Sequence, residues 1–168
     1  MNKKINLYIV GGIIFTIVFG ALLHFVYDWS GSNSIVGLFS PINESVWEHM
    51  KLLFYPMSLW LIGGYFKFGK SNQNYICAAL IGLVSGLILI PVLFYTYTFI
   101  AAKTILAIDI SIFIISIIIS FLIMGYILKN YNLRCLSTKA GILLWELIFV
   151  LFVIFTIFPP DLPLFKEF

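Results

Sequence analysis

Residues Thr104 to Leu128 read Thr-Ile-Leu-Ala-Ile-Asp-Ile-Ser-Ile-Phe-Ile-Ile-Ser-Ile-Ile-Ile-Ser-Phe-Leu-Ile-Met-Gly-Tyr-Ile-Leu, with Asp109 the one acidic or basic residue among them. A helix rises about 1.5 Å per residue and the hydrocarbon core of a bilayer is about 30 Å thick, so roughly 20 apolar residues suffice to cross it. Four further stretches have this character: Asn6 to Tyr27, Val46 to Phe66, Tyr75 to Phe99 and Ala140 to Phe158. The pattern predicts an all-α integral membrane bundle of five transmembrane helices. Composition agrees, with 62% hydrophobic and 10% charged residues and a mean hydropathy of +1.09, against roughly 25% charge in a soluble domain. Only Ile100 to Lys103 separates the third and fourth spans, which predicts a tight antiparallel hairpin.

Lys3 and Lys4 precede the first span, but it is too long for a signal-peptide core and no small-x-small cleavage site precedes His24. With the amino terminus in the cytoplasm, Lys3, Lys4, Lys67, Lys70, Lys129, Arg134 and Lys139 lie inside and Lys51, Lys103 and Lys166 outside. This asymmetry predicts an inside amino terminus and an outside carboxyl terminus. The net charge of +3 then reflects topology, and the bilayer rather than nucleic acid is the expected partner. Cys77 and Cys135 fall on the reducing side in this orientation, so no disulfide is expected. No linker or insertion is long enough for a second domain, which leaves residues 1–168 as a single transmembrane domain.

Within the spans, Pro56 and Pro91 each remove a backbone hydrogen bond and are expected to bend their helices. Ala78, Gly82 and Gly86 form a small-residue stripe that lets another helix come close. The Trp29 to Ile42 loop mixes turn residues with apolar ones and is expected to fold back into the interface. Asn43 can cap the second helix with Glu44 in its first turn; alternatively Ser40 caps it and Pro41 takes the first helical position.

The few ionisable groups are concentrated at one end. His24 and Asp28 close the first span and Asn43-Glu44-Ser45-Val46-Trp47-Glu48-His49 opens the second, with Asp161 following the last span. Ionisable groups at a bundle mouth must be paired, hydrated or bound to a cation. His24 and Asp28 are four apart and share a helical face; Ser45 and His49 repeat that spacing, as do Glu44 and Glu48, with Lys51 and Tyr55 continuing the stripe. Imidazoles and carboxylates together are the donors that zinc and similar divalent cations accept. The expected metal ligands are His24, Asp28 and His49, with Glu44 or Glu48 as general base and Asn43, Ser45, Asp109 and Tyr95 as further ligand-binding groups. Capping and interhelical pairing are the competing account of the same residues.

Asp109 shares a stripe with Ser116 and Ser120 that must face protein, since a lone aspartate in hydrocarbon costs about 2.5 to 3.5 kcal/mol. Lys51 and His49 are its candidate partners. Glu146, beside Trp145, is expected to hold helices together, with Lys139 within snorkelling reach. Trp29, Trp47, Tyr95, Tyr97 and Phe99 mark an interfacial aromatic belt. His-Glu-x-x-His, Gly-x-Ser-x-Gly and glycine-rich phosphate loops do not occur in the sequence.

The words His-Phe-x-Tyr-Asp-Trp-Ser-Gly from His24, Pro-Ile-Asn-Glu-Ser-Val-Trp-Glu-His-Met-Lys from Pro41 and Phe-Pro-Pro-Asp-Leu-Pro-Leu-Phe from Phe158 resemble a family of small bacterial multi-pass membrane proteins of unknown function. The resemblance spans essentially the whole chain and implies a bacterial plasma-membrane location without supplying an activity. Asn43-Glu44 and Trp47-Glu48-His49 are also similar to the Asn-Glu and Trp-Thr-His words of the progestin and adiponectin receptor relatives. With the alkaline ceramidases, those form a superfamily of seven-helix membrane proteins that hold zinc for lipid hydrolysis. That superfamily uses a late His-xxx-His pair, whereas no histidine follows His49 here, so a copied three-histidine site is excluded. Three functions follow: an outward pocket for a cation, proton or small polar ligand, with a transport-type role; a metal-dependent membrane hydrolase; or a scaffold whose polar groups lock helices together.

Overall fold

Apolar runs with few breakers make helices here, and the computed structural model describes residues 2–67, 69–131 and 138–167. Six α-helices are present among the described residues: α1 (Asn2–Trp29), the single turn α2 (Ser34–Gly37), α3 (Val46–Lys67), α4 (Tyr75–Ala101), α5 (Leu106–Asn130) and α6 (Thr138–Ile157). Four are long and apolar enough to cross a membrane, over Lys3–Trp29, Tyr75–Ala101, Leu106–Asn130 and Lys139–Ile157. The helix that falls short of the expected five is α3, which carries Glu48, His49 and Lys51 in its first two turns.

The position of α3 accounts for that composition. Met50, Lys51, Leu52, Leu53 and Phe54 are consecutive and all buried, and five residues at about 100° each go fully around a helix. Protein therefore covers every side of α3 at this level. Helix α1 lies against it antiparallel: Gly20 meets the Leu52 carbonyl and Gly12 the Trp60 ring. A Cβ on Gly20 would stand 2.5 Å from Leu52 O, the carbonyl that Pro56, four residues on, has no N–H to serve. Helix α4 packs on α3 through Gly86 and Leu53, and α6 through Trp145, whose indole N–H donates to Ser58 Oγ at 2.9 Å.

Helices α4 and α5 form the expected antiparallel hairpin along the small-residue stripe. A Cβ on Gly82 would lie 2.6 Å from Ser120 O, and one on Gly86 2.0 Å from Ser120 Oγ. Ser116 and Ser120 are fully buried on this contact. At the opposite end from the ionisable cluster, Tyr75 Oη donates to Leu61 O at 2.7 Å and meets Tyr8 Oη at 2.7 Å, while Asn74 Nδ2 donates to the Ile127 and Tyr131 carbonyls that close α5. Cys77 is disulfide-bonded, which corrects the expectation drawn from redox compartment alone: folding sets which sulfurs meet, and compartment only whether the bond persists. Arg134 and Cys135 lie outside the described residues.

The segment after α1 folds back onto the end of that helix. Asn33 Oδ1 accepts from Ile35 N at 2.9 Å and starts α2. Ser40 caps nothing on α3; its hydroxyl donates to Leu23 O and accepts from Tyr27 N at 3.2 Å, tying the loop to the end of α1. After α6 the chain turns at Pro163–Phe165 and lays the Phe165 ring 5.0 Å from that of Trp47, at the start of α3.

Candidate metal centre

Helix α3 begins with two short-range caps. Asn43 Oδ1 accepts from Ser45 N at 3.0 Å, and Ser45 Oγ accepts from Glu48 N at 3.4 Å. The residue capping α3 is thus Ser45, and Asn43 caps the cap. The Ser45 carbonyl accepts both the His49 backbone N–H, at 3.1 Å, and the imidazole Nδ1–H, at 2.9 Å. A carbonyl can only accept, so Nδ1 carries hydrogen and Nε2 of neutral His49 presents a bare lone pair.

That lone pair faces a carboxylate. His49 Nε2 is 3.3 Å from Glu44 Oε2, and His24 Nε2, from α1, is 3.9 Å from Glu44 Oε1. The two imidazole centroids are 5.3 Å apart, and one donor atom from each of the three residues lies within 4.8 Å of the others. A lone pair and an anionic oxygen at such separation repel unless a proton or a metal ion sits between them. An ion with tetrahedral bonds of about 2.0 to 2.1 Å holds its ligand atoms about 3.3 to 3.4 Å apart, the His49–Glu44 spacing. The backbone acceptor on the far side of His49 is the outer-sphere partner that metal-bound histidines ordinarily have. With side chains 31%, 67% and 34% exposed for His24, Glu44 and His49, the group opens to solvent and has room for non-protein ligands.

The remaining candidate residues sit elsewhere. Asp28, expected as a ligand one turn beyond His24, is exposed and makes no ion pair among the described residues; Glu44, expected as a general base, is the acid that stands beside the two histidines. Glu48 points the other way from His49, into protein. Its Oε2 accepts from Lys51 Nζ at 2.6 Å and Ile42 N at 2.9 Å, and its Oε1 from Thr156 Oγ1 at 3.1 Å. Lys51 is fully buried and also donates to Gly37 O at 2.8 Å and Ser40 O at 3.5 Å. This pair staples the α2 loop and α6 to α3. Its sequence signal was the three-residue spacing of Glu48 and Lys51, which places opposite charges on one helical face.

Asp109 is half-buried and receives the hydroxyl of Tyr97 across the α4–α5 hairpin, so its partner is neither Lys51 nor His49. Tyr97 Oη also accepts from Ile105 N at 3.2 Å, closing the turn. The ring of Tyr95 is half-buried against the core on α4. Glu146 is exposed on α6 and makes no ion pair with Lys139.

No curated protein and no solved structure matches the chain, so neither the receptor-like words nor a bacterial origin gains support from such a match. A family model does match, over residues 1–168. Its length leaves no part of the fold or of the His24, Glu44 and His49 group outside, and the chain belongs to that family, a family of unknown function (DUF6512).

Proposed function

We propose that this chain is a multi-pass protein of the bacterial plasma membrane that binds a divalent transition cation at its outer mouth through His24, Glu44 and His49. The observation that carries the reading is the convergence of two imidazole Nε2 atoms on one carboxylate, with the Nδ1 of His49 committed to Ser45 O. Two imidazoles and a carboxylate suit zinc and its neighbours, and three protein ligands leave a coordination position for water or a small ligand.

In this reading α3 is the fifth span, sheltered by the other four, and the amino terminus is cytoplasmic. Lys51 is buried in its ion pair and leaves the charge count, so seven basic residues inside face Lys103 and Lys166 outside. The Cys77 disulfide then lies at the cytoplasmic end, where the thiol pool favours its reduction. The charge asymmetry draws on nine residues and takes precedence over one bond. Binding is favoured over hydrolysis because Glu44 serves as a ligand and the other candidate base, Glu48, is held by Lys51, Ile42 and Thr156.

Zinc and cobalt titrations of the purified protein in nanodiscs test the reading, with melting temperature and the cobalt absorption spectrum as readouts. At about a hundred times Kd, an ion that binds only the folded state adds about 2.7 kcal/mol. His24→Ala, Glu44→Gln and His49→Ala should each remove that gain, and Asp28→Asn should keep it. A gain of the same size in wild type and Glu44→Gln overturns the site.

A further inference from the structure

Helix α6 packs on the bundle along one face, where Gly141 meets Ile76 and Phe152 is buried against Trp47 and Phe54. Only 11% of its membrane-crossing segment is buried, against 50% for α4. The opposite face carries Leu143, Val150 and Ile157, between 44% and 66% exposed, seven residues apart, and Glu146, three residues after Leu143 and four before Val150, falls in line with them. This is the 3.5-residue period along which two helices interlock. An apolar seam alone has no need of a protein partner, because lipid tails solvate it as well as another helix does.

Glu146 changes that. It is exposed on the same face, flanked by Leu143 and Val150, and has no ion pair or hydrogen bond among the described residues. Eight residues at about 1.5 Å each place it about 12 Å into α6, well inside the hydrocarbon. No cation of the chain stands at that depth among the described residues: Lys139 lies two turns away at the helix start, and Lys51 is enclosed with Glu48. A carboxyl group facing hydrocarbon without a partner is what a bilayer penalises, so this face is incomplete as it stands.

We propose that α6 is the interface of a two-fold homodimer in the membrane, in which Glu146 of each copy hydrogen-bonds Glu146 of the other. Copies of one chain insert with the same orientation, so a two-fold axis along the membrane normal sets each residue opposite itself at equal depth. Two neutral carboxylic acids satisfy each other completely, each O–H donating to the other's carbonyl oxygen. Between like acids no cation is required, which is why a second copy fits a face with no basic residue at this level. The leucine, valine and isoleucine seam closes around the acid pair, and one polar position within such a seam fixes register and partner number.

The test is cysteine cross-linking of the full chain in membranes, read by the mass of the covalent product. Val150→Cys should oxidise to a product of twice the chain mass, well above the baseline of the parent chain. Leu122→Cys, 56% exposed on α5 but off the seam, should stay at that baseline. Adding Glu146→Leu to Val150→Cys should lower the dimer yield about tenfold, whereas Glu146→Gln, whose amide both donates and accepts, should retain it. Thermal melts confirm that each variant is folded, which the replacement of a lipid-facing acid by leucine should leave intact. Cross-linking of Val150→Cys no better than Leu122→Cys, an undiminished yield in Glu146→Leu, or products only of other masses would each overturn the homodimer.

Discussion

Removing either member of the Glu48–Lys51 pair should destabilise the protein strongly, and removing both should cost clearly less than the sum of the two. The side chains are 3% and 0% exposed and 2.6 Å apart, so neither charge can turn to water when its partner is lost. Lys51→Met leaves the Glu48 carboxylate with the Ile42 N–H and the Thr156 hydroxyl but no countercharge, and breaking a buried pair in this way costs about 3–5 kcal/mol. It also strips the Gly37 carbonyl of its 2.8 Å donor, and an unsatisfied buried acceptor costs about 1–3 kcal/mol. A loss of about 4–8 kcal/mol is expected, a large part of the roughly 5–15 kcal/mol that holds a domain together. Glu48→Gln is milder, since the ammonium keeps its carbonyl acceptors, and about 3 kcal/mol is expected. The double variant should cost at least about 2 kcal/mol less than the sum of the singles. Unfolding free energies measured by steric trapping in bicelles close this cycle. Single-variant costs below about 1 kcal/mol, the value of an exposed pair, or strict additivity would refute the claim that the pair is buried and mutually dependent.

Other outcomes can be checked in the same system. Ser45→Ala removes the acceptor at the start of α3 and should cost about 0.5–2 kcal/mol in the unfolding assay, with cation affinity retained because the carbonyl that orients His49 belongs to the backbone and survives the change. Gly86→Ala drives a Cβ into Ser120 Oγ and should cost about 1–3 kcal/mol, and adding Ser120→Ala should recover part of it; an unchanged melting temperature in Gly86→Ala would contradict the close α4–α5 approach. Lys166, 2.6 Å away, holds the Asp161 carboxyl below the usual carboxylate range by hydrogen bond and charge. Because its folded value is depressed, any stabilisation from this pair is present above the ordinary carboxylate range and lost on acidification through the lower value. Carbon-detected titration of Asp161 should therefore show a higher midpoint in Lys166→Gln than in the parent chain.

The long helices were legible in the sequence because each is an apolar run, several of them ended by a clear signal: Asp28 and Trp29 closing α1, the Ala102-Lys103 corner after α4, Pro159 and Pro160 after α6. Their order along the chain is not their order in space. Nothing in the Val46 to Phe66 run announces that it lies at the centre, except that it is too polar for lipid, which reads equally well as a weak span. The outer cluster was legible as a place, since His24 and the Asn43 to His49 word sit at ends that an antiparallel bundle brings together. Its ligand set was not, because the four-residue spacing of His24 and Asp28 says they share a face of α1 and nothing about which acid of the next segment reaches that face. Glu44 reaches it because Ser40 ties the loop to Leu23 and Tyr27, a long-range pairing with no periodic trace. Asp109 likewise found Tyr97 across a hairpin turn rather than Lys51 across the bundle.

The least lipophilic helix and the candidate site are two aspects of one arrangement. A helix enclosed by protein on every side over its Met50 to Phe54 turns can carry a glutamate and a lysine, because each meets hydrogen-bond partners instead of hydrocarbon. Where that helix emerges from its shell, its first-turn side chains pass from buried to half-exposed within one residue, Glu48 facing inward and His49 facing the mouth. The inward group then steadies the outward one. Glu48 grips the Ile42 N–H, Lys51 grips the Gly37 and Ser40 carbonyls, and the segment so fixed delivers Glu44 to His24 and His49. A ligand set held by packed, fully bonded neighbours needs little reorganisation to take up an ion. By this logic the buried pair should govern cation affinity without touching the cation: Lys51→Met, in lipid conditions where it stays folded, should weaken zinc binding as Glu44→Gln does, while Asp28→Asn, closer in sequence to His24 but outside the staple, should leave it unchanged.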